Sequence, residues 1–546
     1  GVPMGPIMEG PAMMEAAMPR IGVVTNADNE SLAARLLGGT VTRGKRMARV
    51  FLPGGTRRRQ AIIRLVDRSE AAENRAFQRW ITEVEPALAA PVVDDGGGPL
   101  ISVVVPTYNT PDRYLVPLVD SVLAQTYPGW ELCLADGSTD PQRASAIAAQ
   151  AGRDGRIRLH RLASNLGIAG NTNAGINQAR GDYLAFCDHD DTLAPFALNE
   201  VAAVLRTDPG IDLFYSDEDK LSEDGTTRSH PFFKVGWSPA LFLYGNYLAH
   251  FVVARAELVR KVGGIRTGYE GAQDYDFILR TLDHDPRVAH IPRFSYHWRF
   301  AEGSTSRGAR QKKGAGDAGC RALQDYLVRN GIAARVERIP DYPTNYRLVF
   351  EPAPPPAIHA VGAELPGAGR LSSLDALGGL PAGDVLIVLA PGAAPLHPLH
   401  PCTVEELAAV AVQPGTGTVS PALLDAAGRS AGIGYGARDG RLWPLFAGER
   451  WSRFTRASQV AWPRNLLAAG GCAALGVGLA RELREAGVSL DPVSLSLAAH
   501  RKGLRNVYWP LARFQTEDRL APVDLAEQVE DPYLNPNLAP GAGTLA

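Results

Sequence analysis

Cysteine is scarce in this chain. Five residues out of 546, at Cys133, Cys187, Cys320, Cys402 and Cys472, are scattered and odd in number, with no CxxC pair among them. That indicates neither a disulfide framework nor a zinc site, and it fits a reducing compartment. Long apolar runs are also missing. No stretch reaches the ~18 residues that a membrane span requires; the nearest approach, 465–480, is short and glycine-rich. The first residues lack the basic-then-apolar order of a signal peptide, so the expected location is cytoplasmic. Nor is there an excess of one charge: 56 Lys and Arg stand against 58 Asp and Glu, a net charge of -2. Nothing in that balance calls for a nucleic-acid partner. What remains is ordinary for a globular protein, 45% hydrophobic and 21% charged. The length exceeds what one core supports and implies two or three domains.

Residues 1–40 are rich in Met, Ala, Gly and Pro with little periodicity, and the expectation for them is disorder. Residues 41–99 read as a basic helical arm and a linker. Within them, 43–68 carry Arg43, Lys45, Arg46, Arg49, Arg57, Arg58, Arg59, Arg64 and Arg68 among Val, Ile, Leu and Phe. Such a segment suits a peripheral contact with an anionic membrane face as well as it suits a solvated arm.

The stretch that organises the rest is Gly181 to Asp191, GDYLAFCDHDD. Five apolar residues, Tyr183 to Cys187, read as a strand buried on both faces. It opens directly onto Asp188, His189, Asp190 and Asp191. Open α/β sheets bind ligands at that strand edge, and clustered carboxylates there suit Mg²⁺ or Mn²⁺ shared with substrate phosphates. The plainer alternative is a polar turn capping the next helix, with Pro195 in its first turn. Upstream, the runs 101–105, 131–135 and 157–162 alternate with helical patterns, which predicts βαβ units and a mostly parallel sheet from residue 100 onward. Their ends carry small and polar groups: Pro106-Thr107-Tyr108-Asn109, Asp136-Gly137-Ser138-Thr139-Asp140, and Asn165 to Asn173.

Taken together, VVVPTYN, ADGSTD, NLGIAGNTN, GDYLAFCDHDD, YSDEDK, PFFKVGWSP, GAQDYD and HIPRFSYHWR make residues 101–306 resemble glycosyltransferase family 2. Within it, the set is similar to the multidomain enzymes of bacterial O-antigen and surface-polysaccharide assembly. The QxxRW signature of processive synthases is missing, and ADGSTD has one Asp where many members have two. The resemblance implies an α/β, GT-A (Rossmann-like) catalytic domain over 100–350, with helices flanking a mostly parallel sheet. It further implies an inverting, metal-dependent transfer of one sugar from a nucleotide-diphosphate donor, a UDP- or dTDP-sugar, to a saccharide or lipid-linked saccharide. Carried over by residue, Asp274 is the general base. Asp188, Asp190 and His297 hold Mn²⁺ or Mg²⁺. Pro106, Thr107, Tyr108, Asn109, Asp136, Asn165, Gly167, Asn173, Asp188 and His189 seat the nucleotide sugar. Asp217, Glu218, Trp237, Asn246, Tyr247 and His250 line the acceptor side. Plainer alternatives stand beside these roles: Asp274 as a helix cap, His297 as a packed ring, and Asn165-Gly167 as a loop-to-helix entry. Rival functions are a GT-A-like nucleotidyltransferase and a non-catalytic sugar-binding or scaffold protein.

The second half echoes the first. Gly383 to Ala393 aligns without gaps on Gly181 to Asp191; the strand is kept, but Ala390, Gly392 and Ala393 replace the three aspartates. Arg505 to Pro510 echoes Arg287 to Pro292, which sets Gln515 against His297. The expectation is a Pro/Gly-rich linker over 351–379, a partial, degenerate and non-catalytic GT-A-like unit over 380–515, and a C-terminal tail over 516–546.

Overall fold

The apolar runs singled out by their sequence pair with one another. A computed structural model describes residues 74–88, 90–92, 97–300, 309–339, 342–362, 364–365, 367–371, 374–390, 393–395, 403–449 and 462–537. The expectations for 1–40 and for the basic segment 43–68 lie outside them. The chain divides into two units: one takes Phe77–Glu351 together with Asn535–Asn537, the other Pro352–Leu534.

In the first unit, β1 (Ile101–Thr107), α1 (Asp112–Leu123), β2 (Trp130–Asp136), α2 (Pro141–Ala151), β3 (Ile157–Arg161), α3 (Gly167–Gln178) and β4 (Tyr183–Phe186) alternate as the pattern predicts. Asp140 starts α2 by accepting from the Gln142 amide, with Pro141 in the first turn. Then follow β5 (Thr192–Leu193), α4 (Ala197–Thr207), β6 (Leu213–Leu221), β7 (Arg228–Phe232), α5 (Pro239–Tyr244), β8 (Val252–Arg255), α6 (Ala256–Lys261), α7 (Gln273–Leu282) and β9 (Val288–Arg299). The strand order is β3-β2-β1-β4-β8-β6-β9-β5, with β7 on β6. The β3-β2-β1-β4 half is parallel. Beyond it β8 runs antiparallel to both neighbours, β9 is parallel to β6, and β5 antiparallel to β9. β1, β2 and most of β4 are buried along their length because helices cover them on both sides. Ile101, Val103 and Val105 pack with Leu118, Val119 and Val122 of α1. α8 (Ala309–Arg329), β10 (Ala334–Ile339) and β11 (Tyr342–Phe350) close the unit.

The second unit contains β12 (Ile358–Val361), β13 (Gly369–Arg370), β14 (Val385–Leu389), β15 (Ala394–Pro395), α9 (Thr403–Ala411), β16 (Thr416–Leu424), β17 (Ser430–Gly432), β18 (Tyr435–Arg438), β19 (Arg441–Pro444), β20 (Arg464–Leu466), β21 (Cys472–Gly476), α10 (Val477–Glu485), α11 (Pro492–Arg501), β22 (Arg505–Gln515) and β23 (Val523–Asp524). Its main sheet runs β13-β12-β14-β21-β16-β22-β15. From β14 on, this repeats the first sheet strand for strand and direction for direction: β14 with β21 antiparallel, β21 with β16 antiparallel, β16 with β22 parallel, β22 with β15 antiparallel. Two boundaries need correction. The expected linker 351–379 contributes β12, which lies parallel to β14; four residues between proline- and glycine-rich stretches were too short a signal. The expected tail supplies β23, and its Asn535–Asn537 belong to the first unit.

Candidate active site

The carboxylates after β4 are fixed by the end of β9. Asp191 is fully buried. Its Oδ2 accepts from the Tyr296 hydroxyl at 2.6 Å and its Oδ1 from the Arg299 amide at 2.7 Å. Tyr296 in turn accepts from the Asp188 amide at 3.1 Å, and Arg299 Nε donates to the Asp190 carbonyl at 2.7 Å. The Tyr296 hydroxyl with the amide and guanidinium of Arg299 thus set the whole turn. Burial pushes the Asp191 carboxyl well above its ordinary range, with Asp190 and Asp188 adding to the effect. Burial also raises Asp190, against the opposing pull of His189.

Asp188, Asp191 and His250 bring one ligand atom each to within 4.8 Å of one another. His250 lies 4.6 Å from the Tyr296 ring and nearly parallel to it, at 12°. Its backbone is held by Glu218 Oε2, which accepts from the His250 amide at 3.3 Å, and by Lys234, whose ammonium donates to the His250 carbonyl. Lys234 is fully buried and also donates to Glu218 Oε2 at 3.2 Å and the Leu248 carbonyl at 2.6 Å. Asp190 and His297, the other two residues expected on a metal, are not in this group. His297 Nδ1 instead stands 2.8 Å from Asp219 Oδ1. Alternation along β9 explains the difference, because Tyr296 and His297 point to opposite faces.

Asp274 lies in the first turn of α7 and lines one pocket with Pro106, Thr172, Asp188, His250 and Gln273. Asn246 Nδ2 donates to its Oδ2 at 2.9 Å. Burial raises the Asp274 carboxyl; His250 opposes this, and the Asp188 charge adds to it. The loop before α7 is anchored by Asn173, whose amide group makes two bonds to the Ile265 backbone, at 2.7 and 2.8 Å. At Gly264, with φ +68°, an added Cβ would meet Asn173 Oδ1 at 2.5 Å, so only glycine fits.

The residues expected to seat a nucleotide divide in two. Pro106 lines the pocket and Tyr108 is exposed. Asp188 lines the pocket too, and most of the others are engaged with the protein. Asp136 is fully buried; its Oδ1 accepts from the Thr107 hydroxyl, the Ser138 amide and the Ser138 hydroxyl, and its Oδ2 pairs with Arg161. Asn109 Oδ1 accepts from the Thr139 and Asp140 amides. Asn165 Oδ1 accepts from the Gly167 amide and from Asn171, and Gly167 takes the positive φ (+74°) that starts α3. His189 Nδ1 is buried with no hydrogen-bond partner among the described residues.

On the acceptor side, Asp217 is fully buried under Lys234, His290 and Asn535. Glu218 is committed to Lys234. Buried Tyr247 donates to the Gly236 carbonyl, and Trp237 packs against Phe242, with ring centroids 5.6 Å apart. Of that group, Asn246 and His250 meet the Asp188–Asp274 pocket, Asn246 through its bond to Asp274. Sequence reasoning did not single out Asp191 as a ligand, Tyr296, Arg299 or Lys234. The signal for the last three lay inside HIPRFSYHWR and PFFKVGWSP, but sequence alone does not reveal which loop each supports.

Comparison with known proteins agrees with this region. Residues 102–263 match the family model described as glycosyl transferase family 2. The chain is 43% identical over 257 residues to an uncharacterized protein, y4gI, of Sinorhizobium fredii, covering 46% of this chain and 28% of that one. It is 40% identical over 258 residues to the O-antigen biosynthesis protein RfbC of Myxococcus xanthus, covering 46% and 20%. The chain therefore spans less than a third of the length of these relatives. Among solved structures, Staphylococcus aureus TarS in complex with UDP-GlcNAc has 20% identity and a TM-score of 0.35, over 42% of this chain and 66% of that one.

Proposed function

We propose, from the premise that residues 102–263 form a glycosyl transferase family 2 domain, that the protein moves one sugar from a nucleotide-diphosphate donor to a saccharide hydroxyl with inversion. The observation that carries this reading is a half-buried carboxylate, Asp274, with its carboxyl raised, in the same pocket as Asp188 and His250. Asp274 takes the proton of the acceptor hydroxyl as that oxygen bonds to the anomeric carbon. The bond from that carbon to the diphosphate breaks on the opposite side, and its electron pair leaves with the nucleoside diphosphate. A raised carboxyl is a stronger base than an ordinary one, and Asn246 fixes its orientation. Two carboxylates and one imidazole fit Mn²⁺ better than Mg²⁺, which takes oxygen ligands, with Asp188, Asp191 and His250 as the residues that would hold the ion. Such an ion, when bound, would supply positive charge to the departing diphosphate. Tyr296 and Arg299 keep the carboxylate turn in place, and Asn173 keeps the loop that delivers Asp274. RfbC is named for O-antigen biosynthesis, which supports a surface-polysaccharide acceptor for this chain.

The second unit takes no part in the chemistry under this proposal. Ala390 and Ala393 stand where Asp188 and Asp191 would be, and among the described residues only the Asp188 group gathers three metal-suited side chains. The test is a panel of UDP-, dTDP- and GDP-sugars with Mn²⁺ or Mg²⁺, read as release of nucleoside diphosphate. Release that needs the ion and disappears in Asp274→Asn is expected. No release from any donor with a range of saccharide acceptors, or release unaffected by Asp274→Asn, would overturn the reading.

A further inference from the structure

We propose that Lys220 binds the diphosphate of the nucleotide donor, an assignment that rests on the glycosyl-transfer reading above. In the β6–β9 pair, Glu218 faces Tyr296 and Lys220 faces Trp298. Residues two apart share a face of a strand, so Lys220 shares its face with Glu218, Tyr296 and Trp298. Tyr296 carries Asp191 and stacks on His250. The His250 and Trp298 rings lie 5.2 Å apart, which brings Lys220 to the edge of the carboxylate cluster.

The Lys220 ammonium is buried and has no hydrogen-bond partner among the described residues. Its carboxylate neighbour, Glu218 Oε1, stands at 3.8 Å, beyond hydrogen-bonding reach. It sits over the Trp298 ring, 2.8 Å from the centroid, and a cation over an indole face recovers part of the cost of leaving water. Among the described residues its three N–H donors are unfilled. The other cations here are committed. Lys234 donates to Glu218 and to the Leu248 and His250 carbonyls. Arg299 is pinned by the carbonyls of Asp190, Ser222 and Glu223, although its Nη2 also lacks a partner among the described residues.

A buried ammonium with open donors suits an acceptor with several charged oxygens, and phosphate supplies them. The site itself repels such a ligand through Asp188, Asp190, Asp191, Glu218 and Asp219. A fixed cation on the same face offsets that repulsion and stabilises the charge that builds on the leaving diphosphate. The flexible four-carbon stem of Lys220 lets its ammonium exchange the Trp298 face for a phosphate oxygen.

The experiment is calorimetric titration of the full chain, in MnCl₂, with UDP, GDP and dTDP and with the matching monophosphates. Lys220→Gln is expected to lose about ten- to hundredfold in affinity for the diphosphate, the range for a charge-assisted hydrogen bond. Its affinity for the monophosphate should hardly change, and Lys220→Arg should retain most of the diphosphate binding. Circular dichroism melts confirm that each variant folds, and should Lys220→Gln not fold, Lys220→Arg and Lys220→Met carry the test. Diphosphate affinity equal to wild type in folded Lys220→Gln overturns the assignment. So does an equal loss for both nucleotides, or an effect confined to the KM for the saccharide acceptor. A wild-type chain that binds none of these nucleotides overturns the glycosyl-transfer reading itself.

Discussion

Replacing Tyr296 with Phe tests how the carboxylate turn is held. The ring stays: it stacks on His250 at 4.6 Å and is fully buried, so neither its packing area nor its shape changes. Only the hydroxyl is lost, and with it the 2.6 Å bond to Asp191 Oδ2 and the 3.1 Å bond from the Asp188 amide. A hydrogen bond to a charged group contributes about 1.5–3 kcal/mol, and a buried amide left unpaired adds about 1 kcal/mol or more. The expected loss is therefore roughly 2–4 kcal/mol, which for a unit of this size lowers Tm by roughly 3–7 °C. A second effect follows from charge. The Tyr296 hydroxyl favours the ionised form of Asp191, which burial already disfavours. Without it Asp191 holds its proton to higher pH, and a protonated carboxyl is a poor ligand. Mn²⁺ affinity at neutral pH should fall about tenfold or more, the scale seen for groups that orient metal ligands, with part of it recovered as pH rises. The assay is a melt of each variant with and without MnCl₂, paired with Mn²⁺ titration across pH. Tyr183→Phe is the control: its hydroxyl donates to the Ile211 carbonyl at 2.8 Å, within the same core. It should cost about 1 kcal/mol and leave Mn²⁺ affinity alone. A Tyr296→Phe variant that melts and titrates like wild type would refute the reasoning.

Asp274→Asn should lower kcat by about a hundredfold or more while donor affinity stays close to wild type; normal kcat with a large loss of donor affinity reassigns the residue to binding. Because Asp274 must be ionised to accept a proton and its carboxyl is raised, wild-type kcat/KM should climb with pH through a value above the usual carboxylate range. A kcat/KM already flat at pH 4 contradicts this. Asn535→Ala removes the amide that donates to both oxygens of buried Asp217 and to the Lys234 carbonyl. The first unit should lose roughly 2–3 kcal/mol in a denaturant melt, and an unchanged midpoint would show that Asn535 contributes nothing to it.

The sequence carried the sheet more fully than the site. β1 and β4 were legible because each is an apolar run bounded by turn residues, and the echo at Gly383 exposed β14 as their counterpart. The metal-suited group was only half legible. Asp188 was in view, but choosing between Asp190 and Asp191 depends on which side chain turns inward, and that is decided by Tyr296 and Arg299 more than a hundred positions away. His250 over His297 was hidden for a similar reason. His250 sits in a loop between α5 and β8, where no periodicity reports direction, and it reaches the site because β8 lies antiparallel beside β4. Asp136, Asn109 and Asn165 are polar residues at strand ends, as a ligand seat needs, yet each fills its bonds with neighbouring backbone and side chains. Polar groups bracing a turn and polar groups facing a ligand look alike in sequence.

The two sheets together separate what a fold requires from what a site requires. Leu193 pairs with Tyr296 in the first sheet, and Pro395 with Phe514 in the second. Thr192 pairs with His297, and Ala394 with Gln515. Glu218 faces Tyr296 while Leu423 faces Phe514, and Asp219 faces His297 while Leu424 faces Gln515. By the same registers, Asp188, Asp191 and His250 fall opposite Ala390, Ala393 and Gly471. The second sheet thus keeps each backbone position and gives up the carboxylates, the imidazoles and the tyrosine hydroxyl as one set. Each of these groups is costly to bury without its partners. Once Asp191 is Ala393, a hydroxyl at 514 has no carboxylate to meet, and once His250 is Gly471, Glu218 has no backbone loop of that kind to hold. Apolar pairs at the same positions stabilise the sheet without that cost. The second unit therefore needs nothing from the chemistry of the first to fold, whereas the first supports its buried carboxylates through the donors that surround them.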